Sequence, residues 1–368
     1  MPYTSLSFPV ASGDQLADIA WADEMHVETQ DELWFTQQGM TAKDTGGELA
    51  HERRSGLPII LRDDLKRKAG EEVRLKMRRQ LTNAPRTTST TYGTGSMLGS
   101  EEAMVFLDVS VFLSLLKNAV GYNSPDLNYH RTSIDMEANA EDALKEWLVE
   151  HHEESILDAF YDGHPYQTVQ SISSVSTINH PNIYRAGGVS GDDDLTTSSI
   201  LNAQEARRMR SYFVNRRLNP IRIDGGRYGV VLADTFVCND LKGDSEFREQ
   251  QASNDRGQEN PLISGSIGTY QNLCFHEYER MRRTTSGANS GNVGRLALLG
   301  ADAIAVAYGS EPRLVPRIET AYGDRWGRAI RQVFGARRAE FQNQANTVTV
   351  QQSSAEWRVW EDRDEFAQ

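Results

Sequence analysis

A chain of 368 residues is long enough for two or three packed modules, and 38% hydrophobic residues with 6 Trp, 13 Tyr and 12 Phe supply ample core, which excludes a wholly disordered protein. Its 39 basic and 52 acidic residues give a net charge of −13; this argues against a dedicated nucleic-acid binder, whose affinity rests on cations that neutralise phosphates. Only two cysteines occur, Cys238 and Cys274, with no Cys or His at ligand spacing, so neither a zinc site nor a disulfide framework is indicated.

The first residues, MPYTSLSFPVASGDQ, lack the basic and long apolar regions of a secretory signal. No apolar run reaches the ~18 residues of a membrane-spanning helix, so a soluble protein without membrane contact, made in a reducing cytoplasm, is expected. Residues 1 to about 50 scatter Phe8, Trp21, Trp34 and Phe35 among acidic and small residues. They read as an extended arm with a short helix around residues 14–38, able to bury its aromatics mainly against something else.

From Val73 the residues alternate: Val73, Leu75 and Met77 on one side, Arg74, Lys76 and Arg78 on the other, with Arg79 returning to the apolar side. That is the period of a half-exposed strand. Residues 103–113 read as a second strand, and residues 82–100 between them, rich in Thr, Ser and Gly, cannot form a core. A long two-stranded ribbon is expected; alone it would be marginally stable, so it should lean on another subunit or domain.

Residues 133–161 read as the best helix, with Ser133 as cap and Asp135 and Glu137 at the positive end of its dipole. Ala140, Leu144, Trp147 and Leu148 share one face, and Ile156, Leu157 and Phe160 the opposite one. Either the helix bends near His151 and His152, or its halves pack on different neighbours. After a polar loop over 164–199, Thr196, Thr197 or Ser198 is expected to cap a second helix ending near Arg217. Beyond Pro220 come short strands at 221–223, 228–233, 273–276, 296–299 and 303–308, with a polar excursion at 240–260, the alternation of an α+β module. The acidic end, EWRVWEDRDEFAQ, reads as a short tail that could fray.

Charge is unevenly placed. Residues 51–86 hold eleven Lys or Arg against five acids, net +6, whereas residues 134–163 hold ten acids and one Lys, net −9. Complementary potentials steer association and fix register. Both segments could be merely solvated faces; the sharper expectation is that the ribbon of one copy (Arg74, Lys76, Arg78, Arg79) lies on the helix of another (Glu141, Glu146, Glu150, Glu153, Asp158).

The segments DLKRKAGEEVRLKMRRQLT (Asp64 to Thr82), LGSEEAMVF (Leu98 to Phe106), EDALKEWLVE (Glu141 to Glu150), PIRIDGGRYGVVLA (Pro220 to Ala233), NPLISGSIGTYQNLCFHEYERM (Asn260 to Met281) and RLALLGADAIAVAYG (Arg295 to Gly309) follow one another in an order that resembles tailed-phage major capsid proteins of the Hong Kong 97 fold. More specifically, they look like the coat-protein family of phage N-four and its relatives. The resemblance implies an α+β fold: an N-terminal arm (1–56), an E-loop ribbon (57–117), a peripheral domain (118–219) with a spine helix at 133–161, an axial domain (220–310), return strands (311–350) and a tail (351–368). It further implies a self-assembling icosahedral shell of pentamers and hexamers, built in the bacterial host cytoplasm. Such a shell encloses DNA without specific binding and meets scaffolding, cement and portal proteins. No cofactor, metal or catalytic residue is implied.

Signals of chemistry are outweighed. GTGSMLG lacks the Lys of a phosphate loop, and Ser114 to Lys117 matches SxxK only within an apolar strand. His151 and His152 are adjacent and cannot share a helix face, Asp192 to Asp194 read as a solvated loop, and Cys274 beside His276 reads as a buried thiol. Two rival readings remain. An enzyme with a scattered site would show a convergent pocket of shifted ionisable groups, and a decoration or cement protein would be compact.

Overall fold

The computed structural model describes residues 29–43, 56–62, 72–78, 104, 106–123, 135–163, 180–223, 225–253, 262, 265–318, 325–342, 349–351 and 353–361. In the first half of the chain lie α1 (Trp34–Gln37), β1 (Thr41–Lys43), β2 (Ile59–Arg62), β3 (Glu72–Arg78), β4 (Phe106–Phe112), β5 (Ser114–Asn123), α2 (Met136–Asp162) and β6 (Ile183–Arg185). There follow α3 (Ala203–Asn215), β7 (Ile221–Ile223), β8 (Gly226–Ala233), α4 (Thr235–Gly243), α5 (Ser245–Ser253), β9 (Gly268–Tyr270), β10 (Leu273–Glu277), β11 (Arg283–Thr284) and β12 (Val293–Leu299). The chain ends with β13 (Ile304–Tyr308), β14 (Arg313–Ile318), β15 (Arg325–Arg338), β16 (Glu340–Gln342), β17 (Thr349–Gln351) and β18 (Ser354–Trp360).

Three sheets organise these strands. An eight-stranded sheet runs β6-β18-β12-β8-β10-β9, with β7 on β8 and β11 on β12. Its two central strands carry the apolar runs 230–233 and 296–299 because both faces are covered there. Val230, Leu232, Ala297 and Leu299 face one core, whereas Val231, Ala233, Leu296 and Leu298 face a second core formed with α3, α4 and α5 through Met209, Phe213, Val237, Leu241 and Phe247. A six-stranded sheet (β1-β2-β13-β15-β14, with β5 on β15) shares the first core through Ile59, Leu61, Ile304, Val306, Phe334 and Ala336. A four-stranded sheet, β17-β16-β4-β3, contains the ribbon.

α2 settles the choice left open by its changing stripe. It is one unbroken helix, and its halves meet different neighbours. Leu144 and Leu148 pack on Ile330, Val120 and Leu314 of the six-stranded sheet, whereas Ile156, Leu157, Ala159, Phe160 and Tyr161 enter the core shared by both sheets. Asp135 caps it, accepting from the N–H groups of Glu137 at 3.0 Å and Ala138 at 3.3 Å, instead of the expected Ser133, which lies outside the described residues. Gly163 ends it in the left-handed region at φ 86°.

Other expectations need correction. The second helix starts at Ala203, not near Ser198, because Asn202 Oδ1 accepts from Glu205 N–H at 2.9 Å. The polar excursion at 240–260 contains the end of α4 and all of α5, whose sequence SEFREQQAS buries Phe247. Residues 354–360, expected within a C-terminal tail, form the buried strand β18 between β6 and β12. β13, expected in the axial segment 220–310, pairs with β15 and β2, while β6 of the segment 118–219 belongs to the eight-stranded sheet. The arm to residue 28, the ribbon tip at 82–100 and the loop at 164–179 lie outside the described residues.

Candidate functional site

The ribbon and α2 are the surfaces that the sequence singles out, and their local structure follows from alternation and helical spacing. β3 and β4 pair antiparallel, with Arg74 opposite Ser110, Lys76 opposite Asp108 and Arg78 opposite Phe106. Val73, Leu75, Leu107, Val109 and Val111 turn inward and bury themselves on Ala305, Ala307 and Ala339, so the ribbon base leans on the six-stranded sheet of its own chain. Arg337 of β15 donates to Ser110 O at 2.5 Å and ties the two layers. Phe112 O would lie 2.1 Å from a Cβ at position 335, so only glycine permits this approach of strands.

The opposite face of the ribbon is not covered in this way. Phe106 and Phe112 are 59% and 57% exposed, and Leu115 of β5 is exposed beyond them. Arg74 is exposed and pairs with Glu72 across 2.5 Å. Arg79 lies outside the described residues.

The acids expected on α2 do not form one surface. Glu153 is the clearest correction: its carboxylate is interior, accepting from Trp34 N–H at 2.8 Å and Tyr278 Oη–H at 2.8 Å, and so fastens α1 and the segment after β10 to the helix. Asp158 pairs with Arg282 at 2.5 Å, and partial burial raises its carboxyl despite that guanidinium. Glu141 lies 3.2 Å from Arg328; burial raises it as well. Glu150 meets Arg280 at 3.1 Å but stays exposed, and Glu146 is exposed. The outward stripe is therefore Asp142, Glu146, Glu150 and Glu154, four acids at successive i, i+4 positions. Asp142 and Glu154 escaped the sequence reading, although the four-residue spacing could have found them.

The polar residues considered for chemistry have structural partners. His152 Nε2 lies 2.7 Å from Gln332 Oε1, and His151 stacks on Trp147. Burial pushes the Cys274 thiol up to about 12. The Asp192 carboxylate is no solvated loop residue. Burial would raise it, but the Arg185 and Arg358 guanidiniums more than reverse this and hold it below the usual range. Among the described residues no group of three or more His, Cys, Asp or Glu is arranged to hold a metal ion.

The chain as a whole has counterparts in sequence and in fold among known proteins. A family model for phage capsid protein matches residues 10–354. The chain belongs to the phage capsid protein family. It is similar to the major capsid protein of Pseudomonas phage KPP25, with 24% identity over 282 residues, 68% of this chain and 74% of that protein. Among solved structures, the capsid of Ralstonia phage GP4 matches with a TM-score of 0.71 at 17% identity, covering 97% of this chain and 99% of that one. The capsid asymmetric unit of cyanophage Pam1 matches with a TM-score of 0.67 at 17% identity, over 84% and 90% of the two chains. The fold is accordingly the α+β fold of Hong Kong 97-type capsids, as the segment order implied.

Proposed function

We propose that this chain is the subunit of an icosahedral phage capsid, and that copies are joined sideways by the ribbon of one lying along the spine helix, α2, of the next. Family membership supports the shell. The contact rests on one observation: the ribbon face carrying Arg74, Phe106 and Phe112 is exposed, while α2 keeps an outward row of carboxylates. The repeats match. Acids four apart on a helix recur every ~6 Å, and alternate residues of a strand every ~6.6 Å, so Arg74, Lys76 and Arg78 can face Asp142, Glu146 and Glu150 in step.

In this reading the eight-stranded sheet is the axial domain and the six-stranded sheet with α2 the peripheral domain; α1 and β1, within the segment 1–56 expected as an arm, pack into this chain's own sheet and core. Shells of pentamers and hexamers assemble in the host cytoplasm and enclose DNA without base-specific contacts; scaffolding, cement and portal proteins are the further partners. Heterologous contacts of this kind close into rings and shells. The test is charge reversal: R74E/K76E/R78E should abolish particles seen by electron microscopy, and D142K/E146K/E150K in the same chain should restore them. Normal, equally salt-sensitive assembly of the triple variant would overturn the contact.

A further inference from the structure

β5 is an edge strand of the six-stranded sheet. It pairs with β15 on one side, and among the described residues no strand pairs with its other side. Its neighbour fixes the direction of its backbone groups. Val333 of β15 accepts from Gly309 N–H at 2.8 Å and donates its own N–H to Ser310 Oγ at 2.9 Å, so odd-numbered residues of β15 bond away from β5 and even-numbered ones towards it. By register the even-numbered residues of β5 meet those, and Leu115, Lys117, Ala119 and Gly121 turn their backbone groups outward. All four are exposed. Asn118 Oδ1 accepts from Ala119 N–H at 2.9 Å and blunts the edge at that point. A long exposed edge of this kind is a template on which a further strand can form.

The face beside this edge is basic. Arg313 of β14 stands directly opposite Arg331 of β15, and Arg331 directly opposite Lys117, so three cations form one row across three strands. Neighbouring positions in the row are ~5 Å apart. Leu314, Ile330 and Val120 face α2, so the alternating cations lie on the other side of the sheet. All three are exposed, and like charges directly opposite one another destabilise a sheet. Among the described residues no carboxylate lies within ion-pairing distance of any of them. Glu319 and Asp324, in the turn between β14 and β15, lie outside the described residues; that turn begins five residue steps from the row, ~17 Å along the strands.

We propose that the β5 edge docks an extended acidic segment of another protein, which adds one strand to the six-stranded sheet and sets a carboxylate beside Lys117 at the end of the cationic row. Strand addition draws affinity from main-chain hydrogen bonds and specificity from alternate side chains, and the row supplies that specificity here. The described part of this chain offers no such strand, because none of its strands holds more than one acid. β5 of a second copy would bring Lys117 against the same cations, and the ribbon strand β3 is itself basic. The acidic α2 is a helix, whose backbone groups are already bonded within it. The partner is therefore an acidic polypeptide other than this chain, and its site uses neither the ribbon nor α2.

The experiment titrates the full-length chain into a fluorescein-labelled peptide of alternating Thr and Glu, which as a strand sets all its carboxylates on one face, and reads fluorescence anisotropy. A second peptide carries N-methyl groups on its glutamates, whose N–H groups are those that would face β5; its charge is unchanged. The first peptide should bind, and the methylated one about tenfold or more weakly, because the main-chain bonds are lost. K117E/R313E/R331E should also weaken the first peptide about tenfold or more, and K117Q/R313Q/R331Q should fall between, as complementary charge requires. All three positions are exposed, circular dichroism checks folding, and the neutral variant carries the test if the reversed one does not fold. No binding of the first peptide, equal binding of both peptides, or full binding by the charge variants would each overturn the proposal. So would a double-stranded DNA oligomer that binds more tightly than the peptide and loses affinity in the same variants, since the row would then serve nucleic acid.

Discussion

Removing the carboxylate of Glu356 should destabilise the protein far more than removing any exposed acid. Its side chain is wholly buried in β18; it accepts from Arg295 Nε at 2.6 Å and Nη2 at 2.9 Å, and from Arg358 Nε at 2.7 Å. In Glu356→Ala, Arg358 keeps Asp192, whereas Arg295 keeps, among the described residues, only its stacking over the Tyr161 ring at 4.2 Å. An unpaired buried cation costs about 3–5 kcal/mol. For a 368-residue chain unfolding as one unit, the unfolding entropy of ~2.1 cal/mol/K per residue converts this to a drop of roughly 4–6 °C in Tm. The double variant Glu356→Leu, Arg295→Met removes both charges and should return to within ~2 °C of the unaltered chain, since apolar replacement of a buried pair is often neutral. Differential scanning calorimetry of unassembled subunits at neutral pH reads both. A loss below ~1 °C in the single variant, or a double variant no better than the single, would refute the reasoning, because the cost would then not come from an orphaned charge.

Acid should weaken the fold through His276. Burial pushes it down to about 4, against the smaller pull of its Nε2 contact to Leu262 O at 2.9 Å. The imidazole is neutral when folded and ordinary, near 6.5, when unfolded, so stability is full above about 6.5 and declines as pH falls towards 4. About 2 kcal/mol should be lost between pH 7.5 and 5, and His276→Gln should flatten that part of the Tm profile; an unchanged slope would exclude this residue as the cause. Gly163→Ala should cost about 1–2 kcal/mol in urea unfolding, because φ 86° is strained for any side chain, whereas its Cβ would meet Arg338 Nη2 only at 3.5 Å. A neutral result would mean that the helix end can rewind.

The ribbon was legible because alternation at Val73 to Arg78 is a local signal: the pleat alone sends successive side chains to opposite faces. The long helix was legible too, but its shift of stripe left open a bend or two sets of neighbours, and only the packing decides for the second. Which of its acids face outward was not. Glu153 and Glu154 are adjacent and chemically identical, yet one is interior and the other exposed. Tyr278 and Trp34, far away in sequence, decide the difference by supplying donors to Glu153. α5 was missed because it buries one large apolar side chain, Phe247, and a single apolar residue leaves no periodicity to detect.

The sequence alone determined the charge asymmetry, the ribbon, the spine helix and, through the order of its segments, the family. Tertiary structure alone decided that the acidic, apparently tail-like end becomes an inner strand. Ser354 to Trp360 alternates charged Glu356 and Arg358 with Ala355, Trp357 and Val359, a pattern suited to one wet face. Arg295 and Asp192, distant in sequence, meet those charges instead of water, and a buried charge is stable only where the fold brings its counter-charge to it.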